Sequence, residues 1–117
     1  MTPETEAERA ERHAASIKAY RELVDPANPP KKPFLLEHHF FSDDAGDVTG
    51  LTRALEDQKY HIDTFAYNPD DPARTWAVVA VKIDLLEERR ILALSDELDA
   101  LARQYECIYD GWLTRVE

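Results

Sequence analysis

The chain has 117 residues, with 24 Asp or Glu against 14 Lys or Arg, for a formal net charge of -10. That length suits a single domain with one compact core, and the acidic excess excludes nucleic acid as the direct ligand, because phosphate binding needs a concentrated basic face. No apolar run approaches the roughly 18 residues of a membrane span, and the lone Cys107 excludes an intramolecular disulfide or a multi-cysteine zinc site.

The start of the chain, Met1 to Arg12, is charged and lacks the apolar h-region of a signal peptide, so cytoplasmic residence is expected. Thr2, Pro3 and Glu4 read as an N-cap, a proline at the first helical position and an acid in the first turn, which predicts a helix over residues 1–24. Its apolar stripe is thin at Ala7, Ala10 and Ala14 and thickens at Ile17, Tyr20 and Val24, so only the second half is expected to dock firmly. Pro26, Pro29, Pro30 and Pro33 predict an extended connector over 25–33. Residues 34–117 then form the core of the domain.

Phe34 to Phe41 has strand character, with Glu37, His38 and His39 in its middle. Ser42, Asp43 and Asp44 each offer a cap for a helix outlined by Val48, Leu51 and Leu55, which Gly50 weakens by about 1 kcal/mol relative to alanine. A second strand is predicted from Tyr60 to Tyr67, ended by the turn-rich Asn68, Pro69, Asp70, Asp71 and Pro72. The third, Thr75 to Ile83, has little alternation, which suits a central strand covered on both sides or nearly so. Asp84 and Glu87 resemble a capping box for a helix carrying Ile91, Leu94, Leu98, Leu101 and Tyr105, with Glu88, Asp96, Asp99 and Arg103 on a solvated opposite face.

The closing strand runs from Glu106 to Val116. Strict alternation puts Cys107, Tyr109, Gly111 and Leu113 on one face and Ile108, Asp110, Trp112 and Thr114 on the other. Cys107 reads as a small buried hydrophobe. Gly111 marks a bulge or a close approach in a strand interior: it makes room for a neighbouring helix or aromatic ring, or Asp110 and Trp112 beside it belong to a contact surface. Trp76 and Trp112 each fit a core position or a rigid contact anchor. The element order, a helix followed by β-α-β-β-α-β, is that of an α+β, ferredoxin-like α/β sandwich: an antiparallel four-stranded sheet with its first and third strands central and two helices on one face. The extra N-terminal helix is expected to cover an edge or part of the other face.

No phosphate-cradling glycine loop, Cys-X-X-Cys, His-Glu-X-X-His or nucleophile elbow occurs in the sequence. His38 and His39 are the residues that invite a metal or acid-base reading, yet neighbours on a strand point to opposite faces and cannot easily serve one ion. A strongly acidic surface favours fast encounter with a basic protein segment, of the kind that otherwise holds RNA.

Glu37-His38-His39, Asp43-Asp44 at the next helix start, Tyr60 leading into the second strand, and Tyr109-Asp110-Gly111-Trp112 followed by Thr114 together resemble the family of regulators of ribonuclease E activity B (RraB). The resemblance covers residues 34–117, and the leading helix sits where family members also carry one. It implies a ferredoxin-like sandwich that is not an enzyme and needs no cofactor or metal. It also implies binding to an RNase E-type endoribonuclease, at its basic scaffold or RNA-binding region, and lowered RNA cleavage. Asp43, Asp44, Asp110 and Trp112 are the candidate partner-binding residues. The sequence departs from the family pattern at Leu113, where a second glycine is common, and at Lys59, where glycine is usual. Longer members carry an acidic C-terminal tail, and a contact made by such a tail is not expected from a sequence ending at Glu117. The alternatives are an interaction module of the same fold with another protein partner or with itself, and a metal-dependent enzyme built on His38 or His39.

Overall fold

The computed structural model describes residues 3–25, 27–28, 30–72 and 74–114. Thr2, Pro26, Pro29 and the predicted strand end at 115–116 lie outside the described residues. Among the described residues the elements are α1 (Glu6–Leu23), β1 (Pro33–Ser42), α2 (Ala45–Asp57), β2 (His61–Tyr67), β3 (Trp76–Leu85), α3 (Glu88–Gln104) and β4 (Ile108–Thr114). The strands form one antiparallel sheet in the order β2-β3-β1-β4, so β1 and β3 are central, as their apolar composition predicts.

Two of the predicted helix starts are displaced. The first helix is capped by Thr5, whose hydroxyl accepts from the Glu8 amide while the Glu8 carboxylate accepts from the Thr5 amide, so a capping box three residues inside the predicted start sets the first turn. Asp84 caps nothing: it lies within β3, accepts a bidentate pair from Arg90 at 2.9 and 3.1 Å, and leaves α3 to begin at Glu87 without a side-chain cap. Asp44, of the three candidates, caps α2 through a 3.0 Å bond from the Asp47 amide.

All three helices pack on one face of the sheet. Phe40, Val78 and Ala80 meet Val48, Leu51 and Leu55 of α2 and Leu98 and Ala102 of α3 in one cluster. In a second, Leu36 and Trp112 meet Tyr20, Val24, Ile91 and Leu94. Helix α1 therefore lies beside α3 in the helix layer and does not cover the other face of the sheet. As a result β3 is covered on one side only, and Ile83, on the far face, is 65% exposed.

The sequence reading of α3 as a helix with a solvated acidic face is corrected by the same contact. Asp96 accepts from Arg9 at 3.0 Å, Arg12 at 2.8 Å and His13 at 2.7 Å, and Asp99 is buried beside Arg12 and Arg103. Arg12 also grips Glu4 through two hydrogen bonds of 2.7 and 2.8 Å. Ion pairs thus dock the half of α1 that lacks an apolar stripe, while Ser16, Tyr20 and Val24 dock the rest by burial. Burial opposes charge on Asp96, but the bonds from His13, Arg12 and Arg9 outweigh it and hold its carboxyl below the usual range.

Gly50 has a packing cause. A Cβ on Gly50 would lie 2.8 Å from the Tyr105 ring, so its absence lets α2 approach the end of α3. The backbone after each of these helices turns left-handed at a residue that is not glycine, Lys59 (φ 73°) and Glu106 (φ 56°). Both ends are Schellman motifs, with Tyr60 N–H donating to Leu55 C=O and Cys107 N–H donating to Ala102 C=O. Lys59 occupies the position where the resembling family has glycine, and the φ supplies the reason. Lys59→Gly is expected to raise stability by about 0.5–1 kcal/mol, since relief of the left-handed strain exceeds the added chain entropy. A urea midpoint at or below that of the parent protein would contradict this.

Candidate partner-binding surface

The chemistry suggested by adjacent histidines is divided by the sheet. His38 points into the helix side, 1% exposed, with its Nδ1 in a 2.9 Å hydrogen bond to the Tyr109 hydroxyl and its ring edge-on to Tyr60. Burial lowers its pKa to about 4, so the ring is neutral near pH 7, and burial likewise raises the pKa of Tyr109. His39 faces the opposite side, beside Gly111, with its Nε2 buried and, among the described residues, unpartnered. Among the described residues no three His, Cys, Asp or Glu side chains come together in a group able to hold a metal ion. Cys107 is buried, and burial pushes its thiol up to about 11, as befits a small packing residue.

The expected alternation of β4 fails at one point. Opposite β1, Tyr109 pairs with Phe40 and Gly111 with His39, so Asp110 is an extra residue without a partner, a β-bulge. Gly111 takes φ 107° there, and nothing lies within 4 Å of where its Cβ would be. Glycine is needed for the backbone angle, and the expectation that it makes room for a helix or ring is wrong. The slip of one residue moves Trp112 to the same face as Tyr109. Trp112 is 6% exposed in the second core cluster, and Leu113, 55% exposed, takes the outer face instead.

The four candidate contact residues are therefore not one patch. Asp43 and Asp44 are exposed at the α2 start, where Asp44 is occupied as the cap. Asp110 is exposed at the bulge and pairs with Arg74 at 3.0 Å, and the Arg74 guanidinium lies 4.2 Å from the Phe41 ring centre. Trp112 is beneath the surface. Two further surface features bear on the site. One is the uncovered sheet face, where Leu35, Ile83, Leu85, Ile108 and Leu113 are exposed around Phe41 and Val79. The alternation of β1 carried a signal for it, since Leu35 and Phe41 alternate with the buried Leu36 and Phe40. The other is a groove of about 530 Å³ between α1 and β4, which no local pattern announces because its walls come from opposite ends of the chain.

Among the described residues no helix is long and apolar enough to cross a membrane. No curated protein matches the chain significantly. The family model of the regulators of ribonuclease activity B does match, over residues 13–114, a span that takes in most of α1, the whole sheet and the Asp110–Gly111 bulge. The chain therefore belongs to the family of regulators of ribonuclease activity B.

Proposed function

We propose that this regulator binds an RNase E-type endoribonuclease at its basic scaffold or RNA-binding region and thereby lowers RNA cleavage, acting as a cofactor-free, non-enzymatic inhibitor in the cytoplasm. The observation that carries the reading is charge. A ribonuclease regulator with a net charge of -10 complements the arginine-rich segments that hold RNA and repels RNA itself. Asp43 and Asp110 fit direct contact, Asp44 adds charge while capping α2, and Trp112 supports the β4 surface from below. The order β2-β3-β1-β4, with all three helices on one face, supports a ferredoxin-like sandwich, and a β1 shared by both core clusters supports a single domain over 1–117.

Binding to the host ribonuclease is expected to weaken about tenfold or more between about 0.05 M and 0.3 M salt, because exposed charges are screened beyond roughly a Debye length. Calorimetric titration against the purified ribonuclease at a series of salt concentrations measures it, and an affinity unaffected by salt would remove the electrostatic basis.

A second reading is favoured by the uncovered apolar sheet face, which suits docking to a different protein or to a second copy. A pull-down from the source cell separates the two by which protein is recovered.

A further inference from the structure

Strand β4 is an edge strand, paired to β1 on one side only. Its other edge opens into the groove beside α1. Five consecutive residues, Ile108 to Trp112, line that groove. Successive side chains of a strand point to opposite faces, so a wall made of consecutive residues presents the backbone edge itself. A second cavity of about 360 Å³ continues the same wall back to Glu106. The opposing wall is mostly helical and acidic: Glu8 and Glu11 of α1, Glu4 just before it and Asp99 of α3 line the groove, as does Asp110 of β4, against the guanidiniums of Arg12 and Arg103. Its charged lining therefore carries a net negative charge. Trp112, also in the lining, holds a buried indole N–H that has no acceptor among the described residues.

We propose that the free edge of β4 takes up an extended basic protein segment as a fifth strand, one that alternates basic and apolar residues. The strand edge supplies unpaired amides and carbonyls, which is the usual basis of strand addition. On an added strand, every second side chain points toward α1, where the carboxylates favour Arg or Lys. The intervening side chains point to the uncovered face and extend the apolar surface around Ile108 and Leu113. A backbone carbonyl of the incoming strand is also the kind of acceptor that the Trp112 N–H lacks. The other edge, β2, carries a bulge at Asp63 as β4 does at Asp110, so what favours β4 is the groove beside α1. The inference rests on the ribonuclease-binding reading for the identity of the partner, but not for the chemistry of the site.

The test uses the full chain and a capped synthetic peptide of about ten residues, the length of an ordinary strand, alternating arginine with valine. A second peptide carries N-methyl groups on alternate backbone nitrogens of one edge. The unmodified peptide is expected to bind and to slow hydrogen exchange of the outward β4 amides, and N-methylation is expected to weaken it about tenfold or more through lost ladder bonds. Glu11→Lys, a change at an exposed α1 position, is expected to weaken it about threefold. No binding, unaltered β4 exchange, or equal affinity for the methylated peptide would each overturn the proposal. The purified host ribonuclease, tested the same way, separates the two readings. If it binds without protecting β4, the site is wrong and the partner stands. If the peptide protects β4 and the ribonuclease does not bind, the site stands and the partner is wrong.

Discussion

Trp112→Ala is expected to destabilise the protein by about 3–5 kcal/mol, the range for deleting a large aromatic side chain from a core. The indole sits where three elements meet, with Tyr20 of α1 and its C-cap Val24, Leu36 of β1, and Ile91 and Leu94 of α3 around it. Among the described residues, ion pairs, the Arg12–Ser95 hydrogen bond and this cluster hold α1 to the rest, so the cavity left by alanine weakens the attachment of a whole helix as well as one contact. Neighbouring side chains cannot easily collapse into the space, because β4 is pinned by its pairing with β1 and the bulge fixes its register. The control is the next residue: Leu113→Ala, on the outer face and 55% exposed, should change stability by less than about 0.5 kcal/mol. Urea unfolding of both variants measures the contrast. Stability of Trp112→Ala within about 1 kcal/mol of the parent, with loss of ribonuclease binding, would make Trp112 a contact residue after all.

Strand count, strand order and the central position of β1 and β3 were legible in the sequence because they follow from apolar runs and turn residues, which are local. The helix caps were less so. Thr2 and Thr5 both precede acids, and only the reciprocal bond with Glu8 selects Thr5. The site was least legible of all, and one residue explains why. Alternation assigns a face to every position of β4 only while pairing is regular, and the extra Asp110 exchanges the faces of everything after it. Gly111 marked the place but not the direction of the slip. The acidic residues of α3 were misread for another reason: a charged helix face looks the same whether it meets water or the arginines of a helix 84 and 87 residues earlier.

Acidification from pH 7 to pH 4.5 is expected to lower stability by about 2 kcal/mol through His38 alone. Burial holds the folded-state pKa of this ring at about 4, below its ordinary value of 6.5, with Asp84 opposing that shift and His39 adding to it. Between those two values the unfolded chain takes up a proton that the folded protein refuses, so the stabilisation is complete above pH 6.5 and is lost as pH falls toward 4. The ion-paired carboxylates act over a lower interval. Glu4 and Asp96 have folded-state pKa values below their ordinary 4.5 and 3.8, so their contribution persists above those values and is lost only as pH falls through the lowered ones. From pH 7 down to 4.5 the histidine therefore dominates the change, with Glu4 only beginning to contribute at the acid end. His38→Gln keeps a hydrogen-bonding group within reach of the Tyr109 hydroxyl but does not titrate, so its urea midpoints should be flat over this interval whatever their absolute height. An equal slope in His38→Gln, or no slope in the parent protein, would mean that the proton uptake does not belong to the buried ring.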